Sequence, residues 1–181
     1  MKVKLLDTVE WGEITQMVDS EFGEGVCKTL LGDRAPVALI DRESKNIYLI
    51  PTAWMGYLQA DTPEGFEYHL MGKQLGIIAK GNFRLSLQIL QEFVKLTSRV
   101  LVVSAHGAEA FTYGRSILRE SVISIDSGLK RGERVLVVNE SHDCLGIAAL
   151  SVDASRIDRL SQDSLVGKNL VDIGWYIRRL G

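Results

Sequence analysis

Apolar and polar positions alternate along this chain in two periods, one helical and one extended, and the change between them sets out the expected elements. Trp11, Ile14, Val18 and Phe22 recur at helical spacing, which predicts an amphipathic helix over 8–22. Asp7 stands where its cap belongs, with Glu10 three residues on as in a capping box. Glu13, Asp19 and Glu21 fall on other faces and are expected to be solvated, and Glu24-Gly25 and Gly32-Asp33 punctuate a loop region. Two strands, 37–41 and 46–51, follow across the polar turn 42–45. A short helix is expected over 52–59, with Trp54, Met55 and Leu58 as core contacts. After the loop Asp61–Gly65, a further antiparallel pair is predicted at 66–71 and 75–79. Ser86 can cap a helix running to Leu96 whose Ile89, Leu90, Phe93 and Val94 share a face.

From Arg99 the pattern becomes that of a small β-structure. Val100 to Val103 is a short β-branched run, followed by the small-residue turn Ser104–Gly107 and one or two helical turns over 108–111. Tyr113-Gly114 ends that helix, since glycine accepts the left-handed conformation at a helix end. Interleaved apolar residues from Ser116 to Ile125 come next, then a glycine-containing loop at 128–133 and a buried strand at 135–138. A turn at 139–143 precedes the strand 144–152, a turn or short helical segment at 153–162, and a final strand region at 165–180 with Gly167 and Gly174 as bends. Short strands, one small helix and tight turns predict an antiparallel, closed β-unit in an α+β chain.

The 181 residues suit one large domain or two small ones. No stretch approaches the ~20 apolar residues of a membrane helix, so no membrane partner is expected. The start, MKVKLLDTVEWGE, turns acidic too early for a secretory signal, which points to a cytoplasmic protein. Cys27 and Cys144 are too few and too distant for a zinc site and are expected in the core. A net charge of −2 provides no global attraction for nucleic acid, but it is unevenly spread: residues 1–98 hold 10 basic and 13 acidic side chains, residues 99–181 hold 11 and 10. Nine of twelve arginines lie in the second part, where their planar forks suit phosphate.

No phosphate loop, dinucleotide fingerprint or nucleophile elbow occurs, so no catalytic residue, metal or cofactor is assigned. His142-Asp143-Cys144 has the composition of a nucleophile site but lies at a strand-connecting turn, where Asp is ordinary turn chemistry. Tyr113-Gly114-Arg115 allows two readings: Tyr113 as a core residue at a helix end, or as an exposed ring stacking a base beside a phosphate-binding Arg115. Residues 130–134 form a basic loop, and Arg156, Arg159, Arg178 and Arg179 converge if the last strand lies beside strand 144–152.

Gly107-Ala108-Glu109 with Phe111-x-Tyr113-Gly114, and the string DIGWYIR at 172–178, resemble the "GAE..FLYGN" and "DIGEYVR" strings of one PUA subfamily. That subfamily is the large-subunit (60S) ribosome biogenesis factors known as nuclear import protein seven, and the resemblance implies an archaeal member. It is specific from Gly81 to Arg178, with Arg115 in place of the usual Asn and Trp175 in place of Glu. It implies an α/β amino-terminal domain at 1–97, with antiparallel strands, followed by a PUA pseudo-barrel at 98–181. The implied protein is a non-catalytic, monomeric factor whose PUA domain binds single-stranded ribosomal RNA precursor while the first domain docks assembly or processing proteins. It adds Gly107 and Ala108, so the expected RNA contacts are Gly107, Ala108, Tyr113, Gly114, Arg115, Arg156, Arg159 and Arg178. A PUA-containing RNA-modification enzyme or accessory subunit, and a translation-associated PUA protein, are the alternatives. Thr97-Ser98, free of Gly and Pro, predicts domains packed together and melting as one.

Overall fold

Residues 2–41, 44–59, 71–175 and 178 are described by a computed structural model of the chain. The expected strand at 66–70, the loop 61–65 and Arg179 lie outside these residues. The chain divides into two compact units: Met1–Ser20 with Glu24–Ile89, and Glu21–Gly23 with Leu90–Gly181.

In the first unit five strands, β1 (Lys2–Leu5), β2 (Arg34–Ile40), β3 (Ser44–Pro51), β4 (Lys73–Ala79) and β5 (Asn82–Leu85), form one sheet in sequence order. Every neighbouring pair is antiparallel. Strand side chains alternate between faces. Val37, Leu39, Tyr48, Ile50 and Met71 therefore form one core cluster, while Ala38, Ile47 and Leu49 are buried on the opposite face. Covered on both sides, β2 and β3 are apolar almost throughout, which is why they show as runs more than as alternation.

Helix α1 (Thr8–Phe22) begins with the expected capping box. Asp7 Oδ1 accepts from the Val9 and Glu10 amides at 3.1 and 2.9 Å, and Glu10 accepts in return from the Asp7 amide. The Glu10 carboxylate also receives Lys45 Nζ at 2.6 Å and Lys4 Nζ at 2.9 Å, fastening the helix start to β1 and β3. These partners hold its carboxyl down to about 2.

Two expectations for this unit are corrected. Residues between the glycine pairs are a helix, α2 (Val26–Leu31), packed on β2. It starts because Asp19, expected to be solvated, accepts from the Gly25 and Cys27 amides at 2.9 and 2.8 Å, while Gly25 takes a positive φ of 79°. A cap delivered from another helix leaves no local signal. Residues 52–54 form a 3₁₀ turn leading into α3 (Met55–Gln59), and Trp54 is 49% exposed instead of joining the core.

The second unit opens with α4 (Leu90–Phe93), after which six strands make one sheet. They are β6 (Val100–Val103), β7 (Ile117–Leu118), β8 (Val122–Ile125), β9 (Arg134–Val138), β10 (Cys144–Leu150) and β11 (Leu165–Asp172), in the order β7-β11-β10-β9-β6-β8. All pairs are antiparallel except β6 with β9. The outermost strands, β7 and β8, are consecutive and joined only by the 3₁₀ turn Arg119–Ser121. Three residues reach roughly 10 Å, so the sheet must curl until its two edges nearly meet. The curl encloses one core of Leu101, Val103, Val135, Val137, Ala148, Leu150 and Val166, in which Phe111 and Ile157 also pack. Ile157 comes from the 3₁₀ segment Ala154–Arg159. The chain is thus a mixed α/β unit with an antiparallel sheet, followed by a curled half-barrel.

Helix α5 (Ala105–Thr112) lies against this barrel. Ser104 Oγ accepts from the Gly107 amide at 3.2 Å, and Glu140 accepts from the Ala105 amide at 3.2 Å, so a carboxylate already occupies the amide end of the helix. The turn before β10 is closed by Asn139, whose side chain bonds the Asp143 amide at 2.8 Å and carboxylate at 2.9 Å. The triplet at 142–144 is turn chemistry, and burial pushes the Cys144 thiol up to about 11, opposite to nucleophile activation.

Candidate nucleic-acid interface

Of the sequence-derived residues, Tyr113, Gly114, Arg115 and Arg178 gather at the carboxyl end of α5. Tyr113 caps the helix and is 69% exposed, so of its two readings the core one is excluded. Gly114 reverses the chain at φ 87°, and Arg115 emerges exposed, its amide returning to Ala110 O at 3.1 Å. His106, Glu109, Ala110, Tyr113 and Arg115 line a shallow depression of about 270 Å³. One carboxylate, on Glu109, and one guanidinium, on Arg115, are among its lining, so its electrostatic pull on a phosphate chain is small.

Beneath this surface lies a polar network that ties β11 to the helix end. Asn169 Nδ2 donates to Phe111 O at 2.9 Å, to Arg115 O at 3.4 Å and to Asp172 Oδ2 at 3.2 Å. Arg178 donates to the same Asp172 oxygen at 2.8 Å and to Thr112 O. Terminal carbonyls of a helix need such donors, and here two side chains distant in sequence supply them. Asp172 is 2% exposed, and its carboxylate raises the pKa of Arg178. Arg178, expected as an RNA contact, is exposed, and its guanidinium is paired with Asp172 and Thr112 O, which ties β11 to the Tyr113 turn.

Gly107 is buried, and packing accounts for it: a Cβ there would lie 2.6 Å from Ser121 Cβ and 3.2 Å from Val103 Cβ. Ala108 is half-buried against the barrel core. Arg156 and Arg159 are exposed on the segment after β10. That segment borders a separate depression of about 410 Å³, lined among others by Arg119, Ile123, Ser124, Ser155 and Asp158. Arg119 spans it, donating to Ile157 O and Asp158 Oδ1, both at 3.0 Å. The depression at the end of α5 groups Tyr113 with Arg115, and Arg156 and Arg159 are not among its lining residues.

Sequence reasoning missed His106, Asn169 and the pairing of Asp172 with Arg178. A lone Asn in an apolar strand was the available signal for Asn169. Among the described residues no cluster of His, Cys, Asp and Glu could hold a metal ion, and no helix is long and apolar enough to cross a membrane.

Residues 99–181 match the sequence family described as the UPF0113 PUA domain. A UPF0113 protein of Archaeoglobus fulgidus is 30% identical over 112 residues, spanning 61% of this chain and 62% of that protein. In fold, the chain is similar to a hypothetical protein, PH0734.1, of Pyrococcus horikoshii, with a TM-score of 0.62, 16% identity, and coverage of 97% of this chain and 99% of that one. It is similar again to a conserved PUA domain protein of Thermoplasma acidophilum, with a TM-score of 0.63, 10% identity and 99% coverage of both. Residues 99–181, which form the curled sheet with its capped α5, thus match the UPF0113 PUA-domain family, and the chain spans about three fifths of the length of the archaeal UPF0113 proteins it resembles.

Proposed function

We propose that this chain is a non-catalytic RNA-binding protein that serves an RNA-processing or RNA-modifying assembly through its PUA domain. The observation that carries this is the exposed Tyr113 beside Arg115 at the rim of a near-neutral depression. A solvent-facing ring held by a buried network is suited to stacking an unpaired base, at about 1–3 kcal/mol per base. The likeness of residues 99–181 to a PUA domain supports RNA binding in general, whereas a dedicated role on large-subunit ribosomal RNA precursor rests on the two short sequence strings. The broader role, as an accessory subunit of processing or modification machinery, therefore stands ahead of the ribosomal one.

Fluorescence anisotropy of the whole chain with a labelled single-stranded RNA, at several salt concentrations, tests the proposal. Weak binding with a shallow salt dependence is expected, because few phosphates are neutralised. No binding at low salt would overturn it. Purification of the protein from its native cells separates the roles: large-subunit precursors would favour the ribosomal one, and modification or processing enzymes the accessory one.

A further inference from the structure

We infer that the depression at the end of α5 is a subsite for one unpaired guanine of single-stranded RNA, with Glu109 as its specificity residue; this rests on the RNA-binding reading above. His106, Glu109, Ala110 and Tyr113 stand at positions i, i+3, i+4 and i+7 of α5 and its cap, so they share one helix face. Arg115 joins their depression after the chain reverses at Gly114. His106, Glu109, Tyr113 and Arg115 are all exposed. Among the described residues, none of these four side chains has a hydrogen-bond or ion-pair partner. Glu109 and Arg115 therefore line one depression without neutralising each other. A ligand there meets a carboxylate that only accepts, a guanidinium that only donates, and an aromatic ring.

The depression, about 270 Å³, is smaller than the ~300–1,000 Å³ of pockets that enclose drug-sized ligands, and it suits a single base. Glu109 precedes Tyr113 by one helical turn, about 6 Å along the axis, a distance that a stacked purine spans. The donor set then selects among the bases. A carboxylate pairs best with two neighbouring donors. Guanine alone carries two on its Watson–Crick edge, the N1–H and the N2 amino group, and its O6 and N7 accept from an arginine. Adenine, cytosine and uracil each set an acceptor lone pair beside their donor, where it faces a carboxylate oxygen. Glu109 also repels phosphate, so this lining fits a base and not the backbone. Pairing in a duplex occupies the edge that Glu109 reads, which restricts the subsite to unpaired guanine.

The whole protein is titrated, by fluorescence anisotropy, into labelled oligouridines carrying guanosine, adenosine or cytidine at one central position, and into the unsubstituted oligouridine. The guanosine oligonucleotide is expected to bind about tenfold tighter than the other three. Glu109→Gln exchanges an accepting oxygen for a donating amide and is expected to bring all four to within about twofold of one another, with circular dichroism unchanged. Ala110→Leu fills the depression without touching a charge and is expected to remove the same preference. Equal wild-type affinity for the four oligonucleotides overturns the guanine subsite and leaves the RNA-binding reading standing. A guanosine preference that survives either variant also overturns it, since the selectivity then arises elsewhere. GMP that competes as well as the guanosine oligonucleotide assigns the depression to a free nucleotide and overturns its role on RNA. A wild-type protein that binds none of the four at low salt overturns the RNA-binding reading and the subsite with it.

Discussion

Replacing Gly107 by alanine separates two explanations for the same residue. If its bareness lets an RNA backbone approach, a methyl group costs affinity and leaves the fold intact. The geometry points to the fold. The added Cβ would sit 2.6 Å from Ser121 Cβ and 3.2 Å from Val103 Cβ, and neither partner atom can rotate away because both are fixed to their backbones. Overpacking of this kind costs about 1–3 kcal/mol, and the short Cβ–Cβ distance argues for the upper half of that range. Alanine is about 1 kcal/mol better than glycine inside a helix, which leaves a net destabilisation of about 1–2 kcal/mol. For a chain of this size that lowers the melting temperature by roughly 2–8 °C. Urea and thermal melts followed by circular dichroism measure it. The decisive comparison is the pair Gly107→Ala with Ser121→Gly, since the second change removes the obstructing atom. A double-mutant cycle is expected to return a favourable coupling of about 1 kcal/mol or more. Unchanged stability of Gly107→Ala together with weakened RNA binding, or coupling within error of zero, would refute the packing explanation.

Tyr113→Ala should weaken single-stranded RNA binding while leaving the salt slope nearly unchanged, and Arg115→Ala should flatten that slope by about 0.7; anisotropy titrations over a salt series read both. The Glu10 carboxyl is held at about 2, below its ordinary 4.5, by Lys45 and Lys4. A lowered folded value means its stabilisation is complete above about pH 4.5 and lost as the pH falls toward 2. Glu10→Gln should therefore flatten the urea midpoint against pH across that window, and an unaltered acid limb would count against the ion-pair cluster. Burial pushes Cys27 and Cys144 up to about 11. Neither should react with iodoacetamide at pH 8 in the native protein at a rate near that of the denatured chain, as mass spectrometry of timed samples would show.

The sequence by itself determined those elements whose signals are local. The capping box of α1, the apolar runs of β2, β3, β6, β9 and β10, and the glycine stop after Tyr113 each depend on residues within a few positions of one another. The fold class followed from them, because short strands with tight turns leave few ways to bury their faces. Only the tertiary structure decided what depends on partners remote in the chain. Asp19 caps a helix that begins seven residues later, so α2 was invisible beforehand. Gly107 appeared to be a gap for a ligand until Ser121 was seen to fill it. Arg178 has the chemistry of a phosphate ligand in any sequence, and its role as the partner of Asp172 and Thr112 exists only once β11 lies beside α5. Ion pairing and close approach act over a few ångströms, and the 66 positions between Thr112 and Arg178 say nothing of that distance until the sheet has curled.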